Sequence, residues 1–226
     1  MSAIRDILKE KYIHCFRNAF RHNNIYEFHH IGRGYSIKSP EITMENFSRF
    51  IQEHGPYVSL KEIMSSGEFD GKCAITFDDG YEEVYTAAFP FLTERGIPFT
   101  AFVLSDEIGK PGFMTADEVT EMSGHPLVTI GSHCCHHVRL STLSSQEKEH
   151  EIVQSKKDLE DLLGKPCDMI AYPFGDFDQE TKNIVESAGY TYAMAVKGRP
   201  MTRFNSKDPL EVPRLSIYDE SLRFYA

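Results

Sequence analysis

About a third of the way along, the chain reads Ala74-Ile75-Thr76-Phe77-Asp78-Asp79-Gly80, an apolar run that ends in two carboxylates and a glycine. Such a run is typical of a strand that is buried on both faces of a parallel sheet. Further runs predict strands of the same kind: Ile25–Phe28, Phe99–Leu104, Leu127–Ile130, Met169–Tyr172, Thr191–Val196 and Val212–Ile217. Helical patterns lie between them, so the alternation predicts an α/β fold, either a barrel or a doubly wound sheet.

Two helical patterns carry specific predictions. Ser144 and Glu147 form a capping-box signature, which predicts a helix that begins there and ends at Gly164. A second apolar stripe consists of Tyr81, Val84, Tyr85, Ala88 and Leu92. We expect its tyrosines to lie in the core and Pro90 to bend or interrupt this helix, because proline lacks a backbone N–H.

The composition is that of a globular, acidic protein. Hydrophobic residues make up 41% and aromatic residues 12% of the 226 residues, enough to bury a substantial core. The formal net charge of -10 argues against a nucleic-acid partner, which would require a basic surface. No repeat, low-complexity tract or linker interrupts the chain, and a barrel of this length is routinely one domain. We therefore expect a single domain over residues 1–226.

The cysteines bear on the redox environment. They are Cys15, Cys73, Cys134, Cys135 and Cys167, an odd number without a Cys-x-x-Cys pair, so we expect reduced thiols rather than a disulfide framework. The N-terminal segment is charged and lacks the apolar region of a signal peptide, and no apolar run is long enough to span a membrane. These features predict a cytoplasmic location and no transmembrane segment. They leave the oligomeric state open.

Polar residues follow several predicted strands, at the ends that converge on one face of a parallel barrel. The first of these are Asp78 and Asp79, which follow Phe77. Two adjacent carboxylates raise each other's pKa, and a bound cation relieves that repulsion. One aspartate could bind the metal while the other accepts a proton from a metal-bound water. The alternative is an Asp-Asp-Gly surface turn, which is common in proteins.

The second candidate for metal binding is the segment Gly131-Ser132-His133-Cys134-Cys135-His136-His137. His133 and His137, at i and i+4, would lie on one face of a helical turn and share a divalent ion. The pair His133 and His136 could do so too, and Cys134 or Cys135 could bind zinc in a structural site. Two histidines and one aspartate leave open coordination positions, as a catalytic metal requires.

A metal-bound water and a proton acceptor would still need a second acid to protonate the leaving amine of an amide. The neighbouring histidines His29 and His30 offer one. Successive side chains of a strand point to opposite faces, so only one of the two can face the site.

Several segments resemble the motifs of one family. Thr76-Phe77-Asp78-Asp79-Gly80 matches, letter for letter, the first motif of the polysaccharide deacetylases, carbohydrate esterase family 4 or NodB-homology domain. His133 to His137 resembles the second motif, His-[Ser/Thr]-x-x-His. Ala171-Tyr172-Pro173-Phe174-Gly175 is similar to the third motif of the branch that deacetylates poly-N-acetylglucosamine. Tyr26-Glu27-Phe28-His29-His30-Ile31 resembles the strand that opens this circularly permuted branch, and the match covers roughly residues 25–217.

The resemblance implies a distorted (β/α)7 TIM-like barrel with a metal-dependent active site. Its first two motifs imply Asp78 as the general base and Asp79, His133 and His137 as ligands of one divalent ion. Zinc is the first choice for these ligands, and cobalt, nickel or iron also suit them. The permuted opening strand implies His29 as the general acid.

The third motif and the last strand imply further site residues. The backbone N–H of Phe174 would stabilise an oxyanion. The other third-motif residues implied to bind substrate are Tyr172, Pro173 and Gly175. Ala171 stands where many members have an arginine that orients the base, and Arg214 looks like the substitute in this branch. The alternative for Arg214 is a surface position.

The chain departs from the family pattern at two points. Cys134 replaces the Ser or Thr whose hydroxyl braces the histidine loop, and a thiol is a weaker hydrogen-bonding group. No tryptophan occurs anywhere, so the family's Asp-x-x-Asp-Trp groove motif is absent.

The function that the resemblance implies is removal of the N-acetyl group from an N-acetylated amino sugar by a metal-dependent hydrolase. The partner would be a carbohydrate that contains N-acetylhexosamine, in a glycan or in a lipid-linked or nucleotide-linked precursor. Two alternatives stay open. One is a deformylase or small-amide hydrolase on the same scaffold, and the other is a catalytically silent carbohydrate-binding barrel.

Overall fold

The computed structural model describes residues 24–32, 41–67, 71–196 and 208–222. Cys15 and the charged N-terminal segment lie outside these ranges, so the predictions made on them stay predictions. The strands within the ranges are β1 Ile25–Phe28, β2 His30–Ile31, β3 Glu41–Ile42, β4 Ala74–Phe77, β5 Phe99–Val103, β6 Val128–Ser132, β7 Met169–Ala171, β8 Tyr192–Val196 and β9 Val212–Ser216.

Seven parallel strands close into a barrel in the order β1-β4-β5-β6-β7-β8-β9. The last strand returns to the first through the pairs Tyr26↔Leu215 and Glu27↔Ser216. β2 and β3 form a separate two-stranded sheet. The predicted strands are confirmed, with ends shifted by at most two residues. Closure rules out the doubly wound alternative, because an open sheet would leave two unpaired edges.

The helices among the described residues are α1 Met44–Glu53, α2 Leu60–Ser66, α3 Phe89–Thr93, α4 Ala116–Gly124, α5 Ser145–Glu149, α6 Ser155–Leu163, α7 Gln179–Ser187 and α8 Asp219–Leu222. The π-helical segments Val84–Ala88 and His150–Gln154 lead directly into α3 and α6. No helix in this part of the chain has both the length and the apolar character that a membrane span needs.

The local hydrogen bonds test the predicted capping box and the predicted interruption at Pro90. Ser144 and Glu147 form the predicted capping box, and the helix that they open ends at Gly164, whose φ of 65° is left-handed. Before Pro90, the N–H of Phe89 donates to Val84 O, five residues back, so the helix is π-helical up to this point. Pro90 then lies in the first turn of α3, where its missing N–H costs little.

Side chains alternate across the barrel wall. Tyr26 and Phe28 of β1 belong to the main core cluster together with Phe47 and Phe50 of α1, and the rings of Tyr26 and Phe50 meet edge to face at 4.8 Å. The other side of the strands forms a second cluster, to which α2 contributes: Ile25, Leu60, Ile63, Met64, Ala74, Phe102, Met169, Ala171, Met194 and Val212. This second cluster fills the interior of the barrel towards the amino ends of its strands.

Two residues further along three of these strands, the inward side becomes polar. Glu27 on β1, Thr76 on β4 and Arg214 on β9 are all buried. Because the side-chain period of a strand is two residues, they share the interior with the apolar cluster. The barrel therefore has an apolar base and a charged upper end, and the upper end is where the carboxyl ends of the strands meet.

Substitution of Gly131 on β6 would test how tightly the interior of the barrel is packed. A Cβ at Gly131 would lie 2.6 Å from two ring carbons of the buried Phe102, so Gly131→Ala must displace that ring. We expect the free energy of unfolding to fall by about 1–3 kcal/mol. The matched control is Gly124→Ala at the end of α4, where a Cβ meets no atom within 4 Å. It should be neutral, or stabilising by up to about 1 kcal/mol. Urea denaturation measures both, and equal midpoints for the two variants would contradict the packing.

Candidate active site

Unusual backbone angles mark the carboxyl ends of three strands. Asp79 after β4, Cys134 after β6 and Phe174 after β7 have φ values of 71°, 71° and 59°, and they are the non-glycine residues with positive φ within the described ranges. Such a conformation costs about 1–3 kcal/mol and persists only where the surrounding structure imposes it. Strain of this kind is concentrated at functional sites, and here all three positions lie at the charged end of the barrel.

A cavity of about 360 Å³ opens between these strand ends. Its volume lies in the range of small-molecule sites. The predicted site residues that line it are His29, Asp78, Asp79, His133, His137 and Phe174. The remaining lining residues are Glu27, Tyr81, Val196 and Ser216. The barrel thus brings together most of the predicted site from four separate regions of the chain.

Three of the lining residues converge as potential metal ligands. Asp79 Oδ1 lies 3.4 Å from His133 Nε2 and 3.6 Å from His137 Nε2. Two ligands of a tetrahedral zinc ion, each about 2.0–2.1 Å from the metal, are about 3.3 Å apart, so the spacing fits. Ala171 O accepts a hydrogen bond from His133 Nδ1 at 2.8 Å, which directs Nε2 towards Asp79. Asp79 Oδ1 is buried without a hydrogen bond of good geometry. Buried polar atoms are nearly always hydrogen-bonded, so an oxygen without such a partner is a candidate metal ligand.

The histidine loop is not helical, contrary to the prediction that His133 and His137 share one face of a helical turn. Residues 133–137 are irregular, because Cys134 has a positive φ that a right-handed helix does not allow. Ser132 Oγ braces this turn by accepting the N–H of Cys134 at 3.1 Å, and it is hydrogen-bonded to Ser155 Oγ at 2.8 Å. The bracing hydroxyl therefore precedes His133 instead of following it.

The alternative ligand pair His133 and His136 is also wrong for this cavity. His136 turns away from it, with Nδ1 2.8 Å from Glu151 Oε1 and Nε2 3.2 Å from Asp106 Oδ2. Cys134 and Cys135 are buried and do not line the cavity. The donor set at this site is thus two imidazoles and one carboxylate.

Arg214 reaches Asp78 through the barrel interior. Its Nη1 and Nη2 donate to Asp78 Oδ1 and Oδ2, each at 2.6 Å, and Arg214 is 1% exposed. Nη1 also donates to Thr76 Oγ1 at 3.1 Å, and Nη2 lies 3.6 Å from Glu27 Oε2. The alternative of a surface position for Arg214 is therefore wrong. The two parallel hydrogen bonds fix the orientation of the Asp78 carboxylate.

The charges of the site shift the pKa values of its members. Burial by itself raises the pKa of Asp78, but the charge of Arg214 and then that of His133 lower it below its usual range. Burial likewise raises the pKa of Asp79, but His133, His29 and His137 together outweigh burial, so this pKa is also lowered. Both carboxylates are consequently ionised at neutral pH.

The two imidazoles differ in their pKa values. Burial lowers the pKa of His133, yet Asp78 and Asp79 outweigh burial and raise it. At His137 burial is the stronger effect and the pKa is lowered. A metal ion must displace any proton from both rings, so metal binding at this site is expected to weaken as the pH falls.

His29 directly follows β1 and lines the cavity. A carboxylate oxygen of Glu27, a ring nitrogen of His29 and a carboxylate oxygen of Asp78 all lie within 4.8 Å of one another. His29 Nε2 is 3.5 Å from Glu27 Oε1, and Ser216 Oγ donates to the same oxygen at 3.1 Å. His30 does not line the cavity, as its place next to His29 along the strand predicts.

Three residues of the third motif lie close to Phe174 in the sequence without lining the cavity. The side chain of Tyr172 is buried and its hydroxyl donates to Leu210 O at 3.0 Å. Pro173 is buried as well, and a Cβ at Gly175 would lie 2.8 Å from Val196 N, so glycine is needed for close backbone approach. None of the three lines the cavity, and the predicted substrate contacts of Tyr172, Pro173 and Gly175 stay predictions.

These three residues instead support Phe174, which they flank. Phe174 is 50% exposed, an unusual exposure for a large aromatic side chain. Its ring centroid lies 4.1 Å from that of His137, and the guanidinium carbon of Arg139 lies 4.5 Å from the Phe174 ring centroid. Phe174 therefore lies half exposed at the rim of the cavity, directly beside His137.

Sequence reasoning missed four lining residues, and the sequence held a signal for one of them and a misleading signal for another. Glu27 lies two positions before His29, and the strand period could have placed both on the same face. Tyr81 was predicted to be a core residue from its helical spacing, but it lines the cavity and its ring stacks on that of His30 at 3.6 Å. It lies before the first turn of the π-helical segment, so the helical period does not apply to it.

Comparisons with known proteins give matches over most of the chain. The family model described as polysaccharide deacetylase matches residues 68–193, more than half of the chain. YxkH of Bacillus subtilis (strain 168) is 28% identical over 195 residues, which cover 84% of this chain and 70% of YxkH. A poly-beta-1,6-N-acetyl-D-glucosamine N-deacetylase of Staphylococcus aureus (strain N315) is 26% identical over 230 residues, which cover 92% of this chain and 78% of the relative.

Solved structures show the same fold. IcaB from Ammonifex degensii aligns with a TM-score of 0.76 at 23% identity, over 90% of this chain and 94% of IcaB. The Streptococcus pyogenes deacetylase PplD, in complex with acetate, aligns with a TM-score of 0.74 at 21% identity, over 87% of this chain and 92% of PplD. With the matched motifs, the closed barrel and the metal-donor cluster at its upper end, the chain belongs to the polysaccharide deacetylase family.

Proposed function

We propose that this protein is a metal-dependent hydrolase that removes the N-acetyl group from an N-acetylated amino sugar. The observation that carries the proposal is that the two adjacent aspartates have different contacts. Asp78 is fixed and ionised by Arg214, while Asp79 points its free oxygen at two imidazoles. A base and a metal ligand side by side in one cavity are the parts that amide hydrolysis by an activated water requires.

Asp79, His133 and His137 would hold the ion. A divalent ion bound there supplies a Lewis acid for the amide carbonyl and lowers the pKa of a coordinated water. Zinc suits one carboxylate and two imidazoles, as do cobalt, nickel and iron, so we propose zinc as the first ion to test.

Asp78 would act as the general base. It lines the cavity beside Asp79, and its lowered pKa keeps it ready to accept a proton from the attacking water at neutral pH. Arg214 holds both carboxylate oxygens, so Asp78 presents a fixed face to that water instead of rotating. Arg214 is a positioning residue in this scheme.

His29 would protonate the leaving nitrogen. It lines the same cavity as Asp78, and its Nε2 lies 3.5 Å from Glu27 Oε1. Phe174 N–H would donate to the oxygen of the tetrahedral intermediate from the strained turn after β7. The exposed ring of Phe174 offers an apolar face for a sugar ring, which favours a saccharide over a small non-sugar amide.

The substrate class follows from the family and the relatives. The Staphylococcus aureus relative is named for poly-beta-1,6-N-acetyl-D-glucosamine, so oligomers of β-1,6-linked N-acetylglucosamine are the first substrates to test. A panel should add β-1,4-linked oligomers, a nucleotide-linked N-acetylglucosamine and an N-formyl glucosamine. Release of formate but not acetate would identify the deformylase alternative.

Replacing the proposed base is the most direct test. Asp78→Asn keeps the size of the side chain but cannot accept the proton, so we expect acetate release from the best panel substrate to fall by about 10²–10⁴-fold. The matched control is Asp161→Asn on α6, whose carboxylate is exposed to solvent; it should keep wild-type rates. If Asp78→Asn loaded with zinc released acetate at a rate close to that of Asp161→Asn, Asp78 would not be the general base.

Metal dependence can be assigned to residues through activity. Protein stripped with a chelator should regain acetate release when zinc is added back. His133→Ala and His137→Ala should not regain it at any zinc concentration, because each removes one of three ligands. His150→Ala is the matched control, since the side chain of His150 is exposed and does not line the cavity, and it should regain activity. Full recovery of acetate release by His133→Ala would contradict the proposed ligand set.

Arg214 should control the pH profile of the reaction. In the folded protein it lowers the pKa of Asp78, so the base stays ionised to lower pH than an ordinary carboxylate. Removing the charge raises that pKa, and the acid limb of log(kcat/KM) against pH should move to higher pH in Arg214→Met. Arg214→Lys keeps the charge without the fork and should shift the limb less.

A stability measurement must accompany this pH profile. Arg214→Met leaves the buried Asp78 without its partner, which costs about 3–5 kcal/mol. Urea denaturation therefore defines the pH range in which each variant is folded. Arg49→Met on the exposed side of α1 is the control and should leave the profile unchanged. An acid limb that stays in place in folded Arg214→Met would show that Asp78 is not the titrating base.

A further inference from the structure

Every second residue from His137 to Ser141 contacts the turn that carries Phe174. The ring centroid of His137 lies 4.1 Å from that of Phe174, and the guanidinium carbon of Arg139 lies 4.5 Å from the Phe174 ring centroid. Ser141 donates two hydrogen bonds to Asp176 Oδ2, from its backbone N–H at 3.0 Å and from its Oγ at 2.7 Å. We call these two hydrogen bonds the loop clamp. They join the histidine loop to the residue that directly follows the Phe174 turn.

The Phe174 turn has a backbone that needs support from its surroundings. Phe174 and Gly175 have consecutive positive φ values of 59° and 62°, and the first of these is strained because Phe174 has a side chain. Within the turn, the N–H of Gly175 donates to Tyr172 O at 2.9 Å and the N–H of Asp176 donates to Pro173 O at 3.0 Å. These bonds close the turn, but they do not fix its position relative to the histidine loop. The side chain of Asp176 provides such a link.

Ser141 makes the loop clamp from an anchored segment. It lies in the single 3₁₀ turn Leu140–Thr142, and the side chain of Leu140 is fully buried in the main core cluster. The N–H of Thr142 donates to Arg139 O at 3.1 Å, which closes this turn. Hydrogen bonds to an ionised carboxylate are shorter and stronger than those between neutral groups. The loop clamp therefore ties Asp176 to a rigid part of the histidine loop.

The two imidazoles of the proposed metal site differ in how they are enclosed. The side chain of His133 is 1% exposed and that of His137 is 33% exposed. Ala171 O accepts a hydrogen bond from His133 Nδ1, whereas the ring of His137 lies against the ring of Phe174. His137 and the Phe174 turn consequently depend on each other for their positions. A contact that holds the turn against the loop fixes both.

We propose that Asp176 is a positioning residue for the oxyanion donor: through Ser141 it holds the backbone N–H of Phe174 at a fixed place relative to His137. This inference rests on the proposed deacetylase function, in which that N–H stabilises the tetrahedral intermediate. A preorganised donor acts only where the developing charge lies, and a displacement of about 1 Å can cost about 10²-fold in rate. Asp176 does not line the cavity, so it acts through the turn and not on the substrate.

Steady-state kinetics of the zinc-loaded, full-length protein on the best panel substrate test this role. Asp176→Ala removes both hydrogen bonds of the loop clamp, and we expect kcat to fall by about 10–100-fold with KM within about twofold of wild type. Ser141→Ala removes only the Oγ bond and should lower kcat less, and Ser141→Thr should recover most of the rate because it restores the hydroxyl. The matched control is Asp161→Ala on α6, whose carboxylate is exposed, and it should keep wild-type kcat.

Two further kinetic results separate positioning from a general loss of structure. The double variant Ser141→Ala/Asp176→Ala should be no slower than Asp176→Ala alone, because both substitutions remove the same contact. Both limbs of the pH profile should stay in place in Asp176→Ala, because Asp176 lies outside the cavity that holds Asp78 and His29.

Hydrogen exchange measures the position of the turn without any substrate. The backbone N–H groups of Gly175 and Asp176 are hydrogen-bonded inside the Phe174 turn, so their exchange reports whether the turn stays closed. We expect exchange at these two amides to become at least about tenfold faster in Asp176→Ala, and faster by a smaller factor in Ser141→Ala. Asp161→Ala should leave it unchanged.

The outcomes that contradict this proposal differ from those that contradict the proposed function. Wild-type kcat in Asp176→Ala, or a raised KM at unchanged kcat, would overturn the positioning role. Unchanged amide exchange in both Asp176→Ala and Ser141→Ala would overturn it as well. Failure of the proposed function appears in the wild type itself, as a lack of acetate release from every panel substrate, and the positioning role then fails with it. Ser141→Ala, at an exposed position, keeps the test usable if Asp176→Ala does not fold.

Discussion

The buried contact between Arg214 and Asp78 is the constraint on which the charged end of the barrel depends. Arg214 comes from β9 and Asp78 follows β4, and Glu27 on β1 lies on the strand between them. One guanidinium therefore compensates two carboxylates where little solvent can do so. Without it, burial would raise the pKa of Asp78 and favour the neutral acid. Closure of β9 onto β1 and ionisation of the proposed base are consequently parts of one arrangement.

The same closed barrel holds backbone conformations that the chain would not adopt by itself. Asp79 and Gly80 have consecutive positive φ values of 71° and 82°, and Cys134 has a φ of 71°. The turn at Cys134 has its own support, because Ser132 Oγ accepts its N–H and contacts Ser155 in the helix beyond. Rigid strands on either side fix where each loop begins, so the packing of the core maintains the strain. The result is a set of three ligand atoms whose spacing already suits a metal ion.

Much of the fold could be predicted because its signals are local. Buried parallel strands are nearly continuous apolar runs, and capping residues such as Ser144 act within one helical turn. The errors arose where a side chain's role depends on distant segments or on an exceptional φ. Helical spacing placed His137 beside His133 on a helix and Tyr81 in the core, but neither residue lies in a helix. Both side chains reach the cavity by irregular backbone.

The sequence by itself determined the strand–helix alternation, the family motifs and the residue types available to bind a metal and to move protons. It could do so because periodicity, turn chemistry and the motifs act over a few neighbouring residues. Only the tertiary structure decided that Arg214 is a buried partner of Asp78 and that Glu27 stands beside His29. It also decided that the histidine loop turns His136 and Cys135 to its outer side. These facts depend on barrel closure, which brings residues from the two ends of the chain into contact and leaves no trace in local sequence.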